Sequence, residues 1–510
     1  MKKTLMLSAM FVCLLVGGWA FAGQALYMNS SGTPLVWDAS DSDPIIVHPE
    51  SGACGQFSNV EMLSLLETNL EEWSTVTTVD LAFSVLSGEI DSVDGANYAD
   101  YLVGVSGLTQ AQNEDNVQDG LNPVLFDDDG EIVDQATGEN SGRFYILGFA
   151  SPSGFALNGE GTDYETIVDG QAVFNCYCLE DATGDPAHAD CNSILFTTDD
   201  LDFTMVHELG HMINLDHTQV NIDLADDDDE ANDDHIPTMF PASVNAAVQK
   251  TPMQDDVMAL SALYPDGNFF TQGNAAVSSY CKVTGALLDR FGEAIRCADV
   301  QAITSDEAKN VSFISGSYAV ADDTDGDGYT DGADECTSGC GNFTLYLEPA
   351  TTYALSVASI NSGFTGGSSV GPCASAQLTV CTDSIITACT DDVASTTCTA
   401  CVKEDPLTTN DASADIAAKI QAECTAGAVV SLGDITTRSV SKPSAAESNG
   451  DGDSDDDDNT SSSSSGCSLN PDVKKATGAM GFFCLIILGP LLSFLTKRLT
   501  IIHNPEPNNG

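Results

Sequence analysis

Positive charge is what this sequence has least of. Its 510 residues include 16 Lys and Arg against 77 Asp and Glu, a formal net charge of −61. Six of those 16 lie at the chain ends (Lys2, Lys3, Lys474, Lys475, Lys497 and Arg498), and residues 24–267 hold only Arg143 and Lys250. A chain so poor in bases cannot neutralise a phosphate backbone, which excludes nucleic acid as a partner. Histidine is scarce too, with seven in the whole chain, so any cluster of it carries information. Full disorder is excluded by composition, because 42% of residues are hydrophobic and only 18% are charged.

The two ends are read from their flanking charges. Lys2-Lys3, an apolar stretch over 5–16 and Ala20-Phe21-Ala22 predict a secretory signal at 1–22, cleaved after Ala22. At the other end, 476–496 carries no charge and lies between Lys474-Lys475 and Lys497-Arg498. Its 21 residues are long enough for a hydrocarbon core of about 30 Å. One transmembrane helix is therefore expected within 471–510, with the body of the chain outside the cytoplasm. A Ser run followed by Gly466-Cys467 just upstream resembles bacterial C-terminal sorting tails. That resemblance implies trimming by a membrane protease near Gly466-Cys467; a permanent membrane anchor is the alternative. Cysteine usage agrees with export: Cys13, Cys467 and Cys484 fall in the ends, leaving 14 of 17 for up to seven disulfides.

Between the ends, Val60, Leu63, Leu66, Leu70 and Trp73 recur at helical spacing and predict a helix over 58–73, capped by Ser58 or Asn59. Strands are expected over 79–85, 143–150 and 166–176, a second helix from Asp202, and a third over 255–263 ahead of Pro265. The alternation predicts one α+β domain over 23–267. From 268 to 365, β-rich runs at 282–288, 298–304 and 344–347 predict a small all-β sandwich. Residues 366–445 form a Cys-rich region with one helix near 413–424, and 446–470 an acidic, Ser-rich linker.

The chemistry is concentrated in His207-Glu208-Leu209-Gly210-His211-Met212-Ile213-Asn214-Leu215-Asp216-His217. On a helix, His207 and His211 stand one turn apart on one face, where both imidazoles reach one metal. Glu208 beside them can take a proton from bound water. His217 returns to the same point only if the chain turns near Asn214, in a left-handed conformation that Asn tolerates next best after Gly. Three neutral imidazoles leave a fourth position open, as in catalytic rather than structural zinc sites.

This spacing resembles the metzincin signature HExxHxxGxxH, with Asn214 in place of its glycine. Ile236-Pro237-Thr238-Met239-Phe240-Pro241 resembles the Met-turn of that family, and 255–264 the helix that closes matrixin catalytic domains. Residues 203–220 are similar to secreted bacterial matrixin-like proteases. The resemblance implies a matrixin-like metalloprotease domain over 23–267 acting on a protein or peptide substrate. In it His207, His211 and His217 hold Zn2+, Glu208 is general base and acid, and Met239 supports the site. No Tyr follows Met239 where some metzincins place a fifth ligand, so three protein ligands are expected. Cys54 is expected in a disulfide rather than as a thiolate on the zinc.

A second motif occupies the loop 323–334. Asp323, Asp325, Asp327, Asp331 and Asp334 offer carboxylates at loop positions 1, 3, 5, 9 and 12, with the Tyr329 carbonyl at position 7 and Gly328 at the sharp turn. It resembles thrombospondin type-3 and other extracellular DxDxDG repeats, which implies structural Ca2+. The surrounding stretch, with Thr284-Gly285-Ala286-Leu287-Leu288-Asp289 and Leu345-Tyr346-Leu347, resembles a carboxypeptidase regulatory-like β-sandwich. In exported enzymes such modules are usually spacers or docking domains. A further ion is expected at Asp127-Asp128-Asp129-Gly130, whereas the run from Asp226 to Glu230 reads as a solvated loop. The whole chain is thus expected to be an exported, surface- or membrane-tethered zinc endopeptidase. The alternative is a surface adhesin or structural calcium-binding protein whose metzincin domain does not cut.

Overall fold

The computed structural model describes residues 24–360, apart from 41, 323–334 and short stretches within 106–119, 138–140, 158–163, 181–194, 228–230 and 289–293. It also describes 379–380, 401–402, 405–406 and 412–436. The first sheet runs in the order β1 (Val36–Trp37), β6 (Tyr164–Asn175), β4 (Pro123–Asp127), β2 (Ile45–Pro49) and β3 (Phe83–Val85). A further strand, β5 (Gly148–Leu157), lies on the outer edge of β6. Four of the five pairings are parallel; β5 alone runs antiparallel. Parallel strands covered on both faces need apolar side chains on both, and β4 is buried at all five positions. The expected α+β arrangement is therefore corrected to mixed α/β.

Among the described residues, the first module has the helices α1 (Asn59–Ser74), α2 (Glu131–Thr137), α3 (Thr198–Met212), α4 (Ile222–Asp226), α5 (Ala246–Gln249) and α6 (Gln254–Leu263). Ser58 caps α1, its amide and hydroxyl donating to Glu61 Oε2 at 2.8 and 2.7 Å. The helix buries Met62, Leu66, Asn69, Leu70 and Trp73 but leaves Val60 77% exposed, so its inner face is turned from the one the spacing suggested. Helix α3 begins four residues before Asp202, because Thr197 and Asp200 form a reciprocal cap (Asp200 N–H to Thr197 Oγ1, 3.1 Å; Thr197 N–H to Asp200 Oδ2, 2.9 Å). Packed against both the sheet and α1, α3 is buried along almost its whole length.

The second module holds two facing sheets. One is β12 (Asn342–Leu347), β7 (Cys281–Leu288) and β17 (Val429–Thr436); the other is β16 (Asp405–Pro406), β13 (Ala354–Ser359), β8 (Ala298–Ile303) and β9 (Val311–Ile314). Burial alternates along β12, as a half-buried strand requires. A hairpin of β10 (Val320–Asp322) and β11 (Glu335–Ser338) closes the base of the loop 323–334, and β14 (Thr379–Val380) pairs with β15 (Cys401–Val402). The expectation of an all-β sandwich followed by a separate Cys-rich region is corrected. Helix α7 (Ala412–Glu423) and β17 complete the sandwich, with Ile420, Val430 and Ile435 in its core. β17 runs parallel to β7, and Cys281–Cys424 fastens the junction.

Among the described residues no helix is long and apolar enough to cross a membrane, so the expected transmembrane helix is not among them. The segment 476–496 lies outside the described residues, as do 1–22, the linker 446–470 and Gly466-Cys467. Two more disulfides, Cys54–Cys176 and Cys178–Cys191, staple the first module, so Cys54 is not a metal thiolate. Such a set of cross-links belongs to an oxidising environment.

Where the two modules meet, three aspartates are buried. Asp255 on α6 is pushed up to about 8 by burial and by the neighbouring Asp256 charge, partly offset by Thr218 and the Ser312 amide, with Asp299 on β8 adding to the rise. Burial raises Asp256 and Asp299 to about 6. A carboxyl raised in the folded state binds a proton that the unfolded chain has already lost. Its contribution is full below the unfolded value near 4 and disappears as pH rises through the folded one. Thermal unfolding midpoints should therefore fall between pH 5 and 8, with a slope of up to about 1.4 kcal/mol per pH unit for each extra proton held. Asp255→Asn should flatten the upper part of that slope.

Candidate metal centre

Helix α3 carries His207 and His211 on one face, and the irregular segment after it brings back His217; all three are fully buried. Their Nε2 atoms converge, at 3.0 Å between His207 and His211, 3.1 Å between His207 and His217, and 3.2 Å between His211 and His217. On the far side of each helical ring, Nδ1 meets a main-chain carbonyl, Thr238 O at 2.7 Å for His207 and Leu215 O at 2.8 Å for His211. A carbonyl only accepts, so both Nδ1 atoms are protonated and both Nε2 atoms present bare lone pairs to each other. Burial drives His207 down to about 4. It holds His211 well below the usual imidazole range, with the His217 and His207 charges adding to the effect. Convergent, neutral, carbonyl-oriented imidazoles repel one another unless a cation accepts their lone pairs, so the donor set fits a metal ion. Among the described residues this is the one group of His, Cys, Asp or Glu arranged to hold one.

The return of His217 depends on Asn214, whose φ is 75°. Its carboxamide does what a glycine cannot. Asn214 Oδ1 accepts from Tyr27 N–H at 2.7 Å, and its Nδ2 donates to Leu35 O at 2.6 Å and Tyr27 O at 3.0 Å. The N-terminal segment is thereby sewn to the turn, with Leu26 N–H to Asn214 O and Asp216 N–H to Gln24 O at 2.9 and 3.0 Å. Trp37 Nε1 donates to Met212 O at 3.0 Å, and Tyr264 hydroxyl to Ile213 O at 2.9 Å.

Below the triad, Met239 is buried, and a Cβ on Gly210 would stand 2.5 Å from its Sδ and 2.9 Å from Trp73 Cζ2. Gly210 thus makes room for the Met239 turn. That turn hangs from Asp256, which accepts from Thr238 N–H and Met239 N–H, both at 2.9 Å. Asp256 therefore orients His207 through Thr238. Its role was not evident from sequence, although a carboxylate at the third position of a helix is a common acceptor of stray amides. Glu208 is fully buried, and neither carboxylate oxygen makes a well-formed hydrogen bond. Burial holds its pKa well above the usual carboxylate range, offset in part by the Ala150 amide.

Asp323, Asp325, Asp327, Tyr329, Asp331 and Asp334 lie outside the described residues. At the site expected near Asp127, each carboxylate is engaged by main-chain amides. Asp127 caps α2 at Ile132 and Val133, Asp128 accepts from Gly55 at 2.6 Å, and Asp129 accepts from Glu131 at 3.0 Å.

Asn214→Ala should cost about 2–4 kcal/mol, combining alanine's poorer tolerance of the left-handed region with unpaired main-chain groups at Tyr27 and Leu35. Asn214→Gly should cost less, since only the hydrogen bonds are lost; denaturant titration of both variants separates the two contributions.

No protein-family model matches this chain and no curated protein matches it, so the centre stands on its own geometry.

Proposed function

We propose that the chain is an exported zinc-dependent endopeptidase of the metzincin, matrixin-like type. The observation that carries the proposal is the triad of His207, His211 and His217 with Glu208, a buried carboxylate lacking a firm partner, one residue along the same helix. Three neutral nitrogen donors suit zinc and leave room for water and substrate. The disulfides accord with export. The loop 323–334, drawn together at its base by the β10–β11 pairing, is assigned structural calcium on its spacing.

Bound zinc would supply Lewis acidity at the scissile carbonyl and acidify water to a pKa of roughly 7. The remaining work falls to the chain. Glu208 accepts the proton of the attacking water and returns it to the leaving amine. Beside it runs β5, which among the described residues pairs with β6 alone. A Cβ on Gly148 would come within 3.2 Å of Glu208 Cγ, so the edge of β5 away from β6 begins at the catalytic carboxylate. An extended peptide added to that edge would have its main chain held while its side chains point alternately into and out of the cleft.

Glu208→Ala should retain one equivalent of zinc and lose about 10²- to 10⁴-fold in casein or gelatin cleavage. Chelation should abolish the activity and added zinc restore it. Full cleavage by the alanine variant would overturn the assignment, and zinc binding without any cleavage by the native chain would favour an adhesin or structural calcium-binding protein.

A further inference from the structure

We infer that the second module is a working part of the metal centre, because it holds in place the segment that presents His217. The inference rests on the reading of the triad as a metal site. His207 and His211 inherit their positions from a regular helix, but His217 lies in a stretch, 213–221, without helix or strand. Its N-terminal side is tied to the N-terminal segment through Asn214 and Asp216. Its C-terminal side is tied largely to residues beyond 268.

Three of the four residues after His217 reach across the seam. Thr218 Oγ1 lies 3.1 Å from Ser312 Oγ on β9. Gln219 Nε2 donates to Asp299 Oδ2 on β8 at 3.0 Å, and Gln301 Nε2 donates to the same oxygen at 2.6 Å. Asn221, in the left-handed region with a φ of 63°, donates to Glu307 O at 3.0 Å and accepts from Asn310 Nδ2 at 2.7 Å. Thr218 and Gln219 are almost wholly buried, so these bonds have no water to replace them. The contact extends beyond them: Ser312 N–H donates to Asp255 Oδ1 at 2.6 Å. Ile314, Ile360 and Cys297 pack with Ala225, Ile236, Phe240 and Ala242, which lie between the third histidine and α5. A spacer or docking domain would not need to bury polar side chains that begin one residue from a ligand. This arrangement makes Asp299 and Asn310 positioning residues for the metal.

Groups that orient a ligand from behind typically change metal affinity by about 10- to 100-fold when removed. In the full chain, Asp299→Ala should weaken Zn(II) and Co(II) binding by about that factor and alter the visible absorption of the Co(II) form. Asp299→Asn, which keeps an acceptor for Gln219, should restore most of both. Asn310→Ala, which removes the bond to Asn221 together with the acceptor for Thr304 N–H, tests the same point if Asp299→Ala fails to fold. Met258→Ala serves as the control, since it loosens the packing of α6 on the second module without touching 218–221 and should lower thermal stability with the Co(II) spectrum unchanged. Equal metal affinity and spectra in all variants would overturn this inference alone, and an equal loss in Met258→Ala would do the same. A native chain that takes up neither metal would overturn the metal reading along with it.

Discussion

The reversal of the chain at Asn214 is the constraint on which the rest of the centre depends. Helix α3 ends at Met212, and a continued helix would carry residue 217 away from the face of His207 and His211. A left-handed residue ends the helix and redirects the chain within one step. Asn214 adds to this a set of hydrogen bonds that fixes the N-terminal segment against the turn. Around that reversal the exposed groups find partners: Trp37 Nε1 and the Tyr264 hydroxyl donate to the carbonyls of Met212 and Ile213, the Thr238 and Leu215 carbonyls orient the imidazoles, and Asp256 suspends the turn beneath.

Much of the candidate site was legible because its signals are local. The i, i+4 pair of histidines, the intervening Glu208 and the tolerance of Asn214 for positive φ all concern a single turn of chain. The Ser58–Glu61 cap could be read for the same reason. What escaped depends on distant partners. Val60 fits a helical stripe as well as Met62 does, and only the placement of α1 against α3 decides that Met62 turns inward. Helix α3 starts at Thr198 because of a Thr–Asp cap that spacing of apolar residues does not register. The parallel pairing of β17 with β7 joins positions nearly 150 residues apart, and no periodicity within either strand announces it. Asp255 and Asp256 could be placed on a helix, yet their roles are set by Ser312 and by Thr238, one in each neighbouring module.

The surplus of acid has a structural side that composition alone does not disclose. Several carboxylates act as acceptors for main-chain amides that helices and turns leave over: Glu50 for Val93 and Phe126, Asp127 for the start of α2, and Asp256 for three amides at Thr238, Met239 and Met253. None of these needs a basic partner. The two bases of the first module are spent on its acids, Arg143 with Asp134 and Lys250 with Asp199 and Asp202. The surface charge that remains is uncompensated, and its mutual repulsion weakens as salt is added.

The central place of β7 between β12 and β17 has a consequence in time. During synthesis its inner edge stays open until residues 429–436 have left the ribosome, long after the first module and most of the second have emerged. Pairings of such sequence separation form slowly and late. If the second module must be closed before it can steady His217, the centre cannot mature by degrees as the chain lengthens. It becomes competent only near the end of synthesis, and a nascent chain of this design carries its own delay.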